Sequence, residues 1–390
     1  MKTRNLSIFC TLILMLGFAH VYSQSTLGNG LHQLEISGSI ATYYNYRELK
    51  PGEVDKDKNR FRLRDAQIQL EGRKGLNWEY EFQFDLADIA SGVFDPENPG
   101  LMDAYIVYKG LKFLDIKMGY SKLSYSRSSI TPIVYSAFWQ RAEFLRGDLF
   151  SRRDVGLTIN APFYKDRLNL IAGLYNGIGE QSLRGDNDRS GALEYLGRFE
   201  FGWPKVSRYR DFDDRNLAKP QLMLGAGARY TERSLPQGTF FPNGAVGEYG
   251  VKVADGEKLA VNLDAGFMWK GFSGQIEYHR IKITPNDTNS FLLRSLPVSQ
   301  TNGYVLSTAL VSQLNYFNSR FHTGISLRYE DFNISDLVTG INNRWSAAVM
   351  YQIDGYQSAI KVQYFRIIEE ELTYDVDWKS QFRIGWQYIF

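Results

Sequence analysis

Apolar and polar residues alternate at every second position in run after run along this chain, and no other feature of the sequence restricts its folding as much. In LNWEYEFQFDL, Leu76, Trp78, Tyr80, Phe82, Phe84 and Leu86 alternate with Asn77, Glu79, Glu81, Gln83 and Asp85. EKLAVNLDAGFMWKG repeats the pattern, with Leu259, Val261, Leu263, Ala265, Phe267 and Trp269 set against Asn262, Asp264 and Gly266. The last residues do the same: Phe382, Ile384, Trp386, Tyr388 and Phe390 share one parity, Gln381, Arg383, Gly385 and Gln387 the other. Successive side chains of a strand point to opposite faces, so each run is a strand with one apolar and one wet face. Glu and Asp stand in the middle of the polar faces, so those faces must meet water.

Sixteen such segments can be laid along the chain, at 33–46, 61–72, 76–86, 102–109, 113–120, 153–163, 168–176, 194–203, 220–231, 258–269, 272–282, 303–316, 320–332, 343–353, 358–366 and 380–390. Short connections such as Arg73-Lys74-Gly75, Lys270-Gly271 and Asp354-Gly355-Tyr356-Gln357 have the chemistry of tight turns. They alternate with long ones, except that 204–219 is long where a short turn is due. A membrane barrel has unlike ends, with short turns on the periplasmic side and long loops outside. Among β structures only a closed barrel can satisfy every backbone group in lipid. The expected fold is therefore all-β, a transmembrane antiparallel β-barrel of about sixteen strands, too wide for wall side chains to fill and so leaving an aqueous channel. Phe390 would close the last strand on its outward face.

The ends and the composition agree. Lys2 and Arg4, the apolar stretch Leu6 to Phe18, and Val21-Tyr22-Ser23 before Gln24 read as a signal peptide spanning 1–23, leaving 24–390 as one barrel domain. Without Lys2 and Arg4 the 45 basic residues become 43, matching the 43 acidic ones, and a neutral chain is no nucleic-acid binder. Cys10, the sole cysteine, leaves with the signal, so neither a disulfide nor a thiolate site is expected. After Gln24 no apolar run is long enough for a helical span. Aromatic residues at 15% suit a large β core or the girdles of a membrane barrel.

Positive charge is concentrated in one place. The connection from Ser121 to Arg153, the longest in the chain, carries Lys122, Arg127, Arg141, Arg146, Arg152 and Arg153 against Glu143 and Asp148. Lys and Arg rings select anions, and Arg forks onto phosphate or carboxylate oxygens. The wall is not basic overall, since Arg198, Arg229, Arg328, Lys361 and Arg383 are offset by Glu79, Glu81, Asp85, Glu200, Asp264, Glu277 and Glu330.

Four stretches in order, FRLRDAQIQLEG (61–72), MGYSKLSYS (118–126), RRDVG (152–156) and LYNGIG (174–179), resemble recurring segments of the phosphate-selective porin O and P family. The resemblance covers essentially the mature chain. It implies a sixteen-stranded pore of the bacterial outer membrane, usually trimeric, with its long third loop folded into the lumen and small anions such as phosphate as its partners. By the same resemblance Arg62 and Arg64 are anion ligands, with Lys117 or Lys122 as the lysine near the loop entrance. Arg62 and Arg64 share the parity of the apolar Ala66, Ile68 and Leu70, so strict alternation turns them outward; a bulge near Arg64-Asp65 would return them to the lumen. Alternatively they pair with wall acids and only hold the loop.

No catalytic, metal or cofactor motif is present, and His32, His279 and His322 flag no nucleophile with a base in reach. The acidic tracts Asp211-Phe212-Asp213-Asp214 and Ile368-Glu369-Glu370-Glu371 read as solvated loops. The functional expectation is an outer-membrane diffusion channel for small anions and no enzyme. A general non-selective porin, or a barrel serving as a structural or binding surface, is the other reading the sequence leaves open.

Overall fold

Sixteen antiparallel strands close into a ring in the computed structural model: β1 (His32–Leu49), β2 (Asn59–Lys74), β3 (Trp78–Asp85), β4 (Leu101–Leu111), β5 (Leu114–Lys122), β6 (Arg153–Phe163), β7 (Leu168–Tyr175), β8 (Glu194–Trp203), β9 (Gln221–Arg233), β10 (Gly256–Trp269), β11 (Phe272–Pro285), β12 (Val305–Asn318), β13 (Thr323–Asn333), β14 (Asn342–Asp354), β15 (Ser358–Glu369) and β16 (Trp378–Ile389). The structure describes residues 24–26, 32–52, 58–91, 100–145, 151–177, 179, 191–206, 210–233, 246–247, 250–251, 256–286, 304–333, 342–369 and 378–390. Residues 1–23, expected from the sequence to be a signal peptide, lie outside them. Each strand pairs with the next, and β16 pairs with β1, so the main sheet has no free edge. The strand ends fall within three residues of those read from the alternation. A three-residue strand, Gln24–Thr26, pairs with β1 and was not legible in the sequence.

The two faces separate as the alternation requires. On β10, Leu263 is 60% exposed while its neighbours Asn262 and Asp264 are 2% and 7% exposed. The outward parity carries the large exposed apolar residues of every strand, among them Trp78, Leu224, Leu314, Trp345 and Trp386. That surface is stable against hydrocarbon and costly against water.

At the seam, the Gly38 and Phe390 backbones exchange two 3.0 Å hydrogen bonds, which fixes the end of the ring. A Cβ at Gly38 would sit 2.5 Å from the Gln67 carbonyl oxygen and 2.6 Å from the Phe390 ring. Gly38→Leu is therefore expected to weaken closure by about 1–3 kcal/mol, the usual cost of overpacking. The check is the heat needed to convert folded to unfolded mobility on gels; an unchanged temperature would remove Gly38 from the seam.

The buried apolar clusters are formed where the third connection meets the inward parity of the wall. Leu123, Tyr125, Phe144 and Leu145 pack with Leu196, Ala260, Ile281 and Phe332. Ala137 and Phe138 pack with Phe317, Met350 and Phe365, and Trp139 with Ala41 and Tyr43.

Candidate functional site

The third connection has little regular structure and is held mainly by what it touches. Among the described residues its one α-helical turn, α1 (Arg127–Ile130), is set by a capping box in which the Ser126 hydroxyl accepts from the Ser129 N–H and the Ser129 hydroxyl from the Ser126 N–H. The Ser128 N–H and hydroxyl both donate to Glu277 on β11, at 2.7 and 2.6 Å. The Trp139 N–H donates to Gln363 on β15 at 2.6 Å, and the Glu143 N–H to Glu330 on β13 at 2.6 Å. Arg383 on β16 donates to Gln140 at 2.7 Å, and Arg344 on β14 pairs with Glu143 at 2.9 Å. Bonds therefore run from this connection to the β11, β13, β14, β15 and β16 faces.

Close approach at the start of the connection depends on glycine. A Cβ at Gly227 on β9 would lie 2.1 Å from the Tyr125 carbonyl oxygen, and one at Gly266 on β10 would lie 2.8 Å from the Arg127 guanidinium. Beside them Arg198 pairs with Asp264 at 2.6 Å and Glu200 at 2.9 Å and donates to the Tyr125 carbonyl at 3.1 Å. Burial raises the Tyr125 phenol well above its ordinary value, so it stays neutral here.

The other side of the ring is open. A cavity of about 610 Å³ runs between the third connection and the inward faces of β1 to β5. Among the described residues five cations border it: Lys117, Lys122, Arg141, Arg152 and Arg153. Lys122 and Arg153 share Asp103, at 3.7 and 3.3 Å. Lys117 lies 5.0 Å from the centre of the Tyr105 ring, a cation–π distance. Arg141 is braced across the loop itself, donating to the Ser128 carbonyl at 3.0 Å and the Thr131 carbonyl at 2.6 Å.

The remaining residues picked out by sequence fall elsewhere. The β1–β2 register steps at Ala41/Thr42, where Ala41 faces Asp65 and Thr42 faces Leu63, so Arg64 is the extra residue of a β-bulge. Beyond the bulge Arg62 is opposite Tyr43, on the inward parity. Arg64 pairs with its neighbour Asp65 at 2.5 Å. Neither arginine borders the cavity. Arg127 turns to the far wall, where its Nε donates to Gln275 at 2.9 Å and its N–H to Asp264 at 3.3 Å. Arg146 lies outside the described residues. His279 is buried against Glu277 at 3.1 Å.

Sequence reasoning named Glu81 as a wall acid but missed the row it belongs to. Glu35 on β1, Glu71 on β2 and Glu81 on β3 stand directly opposite one another across three strands and border the same cavity, with Tyr105 donating to Glu81. Beside them Gln83 donates to Gln67 at 3.1 Å. Like charges placed opposite each other oppose sheet formation, so the row makes sense only on a face that meets solvent. Each glutamate was visible in the sequence; the register that aligns them was not.

The family model described as phosphate-selective porin O and P matches residues 38–240, just over half of the chain. The chain belongs to this family. The porin is thus an outer-membrane channel of bacteria and not an enzyme. Among solved structures it is similar to OmpT of Vibrio cholerae in its trimer form, with 12% identity and a TM-score of 0.58 over 92% of this chain and 99% of that one. It is also similar to the outer-membrane channel DcaP of Acinetobacter baumannii, with 11% identity, TM-score 0.58 and coverage of 92% and 97%. The anion-selective porin from Comamonas acidovorans matches with 9% identity, TM-score 0.54 and coverage of 92% and 100%. At such identity the likeness is one of fold. No curated protein sequence matches this porin.

Proposed function

We propose that this porin passes small anions, phosphate among them, along the cavity beside β1 to β5, with the third loop folded into the lumen as its constriction. The observation that carries the reading is the convergence of Lys117, Lys122, Arg141, Arg152 and Arg153 on one cavity in a chain whose 45 basic residues barely exceed its 43 acidic ones. Rings of such side chains favour anions, and Arg62, inward on β2, would gather them ahead of the narrows. The neighbour described as a trimer supports a homotrimeric assembly. The test is a chloride current titrated with phosphate in planar bilayers. Phosphate should reduce the current at concentrations far below chloride, and Lys122→Ala with Arg141→Ala should weaken that block. A current indifferent to phosphate would limit the reading to unspecific anions.

A second reading, a general porin with little preference, is favoured by the Glu35, Glu71 and Glu81 row, since the lining then carries four carboxylates with Asp103 against five cations. Replacing the three row glutamates by glutamine is expected to raise the anion-over-cation permeability ratio. An unchanged ratio in salt-gradient recordings would place the row off the ion path.

A further inference from the structure

We propose that Asp211, in the long connection between β8 and β9, is a positioning residue for the channel's constriction. This rests on the reading that the third loop forms that constriction. The sequence suggests a solvated acidic tract here. Instead Asp211, Phe212 and Asp213 are 4%, 0% and 1% exposed.

The segment belongs to the end of the barrel where the tight turns lie. Asp213 accepts from the Gly271 N–H of the β10–β11 turn at 3.0 Å and from the Leu217 N–H at 3.0 Å. The Phe212 N–H donates to the hydroxyl of Tyr356, in the β14–β15 turn, at 3.2 Å. The Phe212 ring fills the space above Gly324 on β13, where a Cβ would meet it at 2.6 Å. Asn315 on β12 donates to the Asp211 carbonyl at 2.9 Å, and Ser273 on β11 donates to it as well. Hydrogen-bonded to two strands and two turns, with the Phe212 ring packed on a third strand, the segment is a rigid support.

What it supports is the tip of the third loop. One carboxylate oxygen of Asp211 accepts from the Ser136 hydroxyl and from the Ala137 N–H, both at 2.8 Å, and the Asp211 N–H donates to the Tyr135 carbonyl at 3.1 Å. From the other side, Gln387 on β16 donates to the Val134 carbonyl at 3.0 Å. Ile133, Val134 and Tyr135 border the 610 Å³ cavity opposite the β1–β3 wall. Asp211 therefore fixes one bank of the path without bordering it. The wall bonds hold the loop along its side; Asp211 adds a hold at Tyr135, Ser136 and Ala137 from the turn end, which keeps that stretch from shifting.

The experiment uses the full-length protein in planar bilayers. Asp211→Ala is expected to raise single-channel conductance about twofold and to add open-channel noise, because conductance follows the open cross-section. Its reversal potential in a salt gradient should move toward zero. Asp211→Asn keeps a carbonyl acceptor for Ser136 and Ala137 and should behave as the parent. Gly324→Leu, which displaces Phe212 from the opposite side, should copy Asp211→Ala, and gives the same reading if that variant does not assemble. Parental conductance, noise and selectivity in Asp211→Ala, or an Asp211→Asn as altered as the alanine variant, would overturn the proposal. Arg141→Ala run alongside separates the two levels. If it shifts selectivity while Asp211→Ala changes nothing, the brace alone fails; if neither shifts anything, the constriction reading fails with it.

Discussion

Replacing Gly227 by leucine is expected to give a barrel that assembles but conducts roughly two to four times better than the parent, as a wider cross-section requires. The reasoning is steric. The Tyr125 carbonyl oxygen occupies the place a Cβ would take, at 2.1 Å, and belongs to backbone that cannot rotate aside. Strand β9 is held on both edges by continuous pairing to β8 and β10, whereas the loop is held by side-chain bonds, so the loop is what moves. Moving it strips Tyr125 from Arg198 and opens the start of the connection. Overpacking costs about 1–3 kcal/mol, little for a sixteen-stranded ring. Single-channel steps in a bilayer are the check. Parental steps from a correctly assembled variant would show that the loop entrance does not control width.

Asp264→Ala is expected to cost about 3–5 kcal/mol of barrel stability, the usual range for removing one partner of a buried ion pair. Arg198 has no solvent access through its side chain, and Asp264 is its nearest partner at 2.6 Å. Alanine leaves the guanidinium with Glu200 and the Tyr125 carbonyl, and takes from Arg127 the acceptor of its N–H. Urea unfolding in lipid vesicles measures the loss. The triple variant Arg198→Met, Asp264→Leu and Glu200→Gln takes away all three charges of the cluster and keeps an acceptor for Asn169, so it should recover most of the loss, because well-packed neutral replacements for buried charges are often tolerated. Equal losses in the single and triple variants would mean that the cluster's geometry, and not the unbalanced charge, carries the effect.

The wall was almost wholly legible in the sequence and the interior only in part, for one reason. A strand announces itself locally: period-two alternation spans a few neighbouring residues, and lipid outside with water inside makes the contrast strong. Arg153–Phe163 and Glu194–Trp203 were read with the bounds the structure gives. The interior is built from partners far apart in the chain. Asp211 meets Ser136 across 75 residues, and Trp139 meets Gln363 across 224. Nothing near Asp211-Phe212-Asp213 in sequence says that its carboxylates have N–H and hydroxyl donors waiting, so the tract read as a solvated loop. The bulge at Arg64 lay between these limits, because two arginines at an apolar parity make a register step worth expecting. Gly225, Gly227 and Gly266 occupy inward positions where other strands place long polar side chains, and each leaves room for an atom of the loop or of the Arg198–Asp264 pair. Small residues at lumen positions, read with the neighbouring long loop, would have located its seat.

The most direct test of the account is the reversal potential of the purified porin in a planar bilayer under a potassium chloride gradient. A basic path through the lumen predicts stepwise conductance and a reversal potential displaced toward the chloride equilibrium value, with the displacement reduced when Lys122 and Arg141 are alanine. Steps that reverse toward the potassium value, or a protein that inserts and shows no steps, would contradict it.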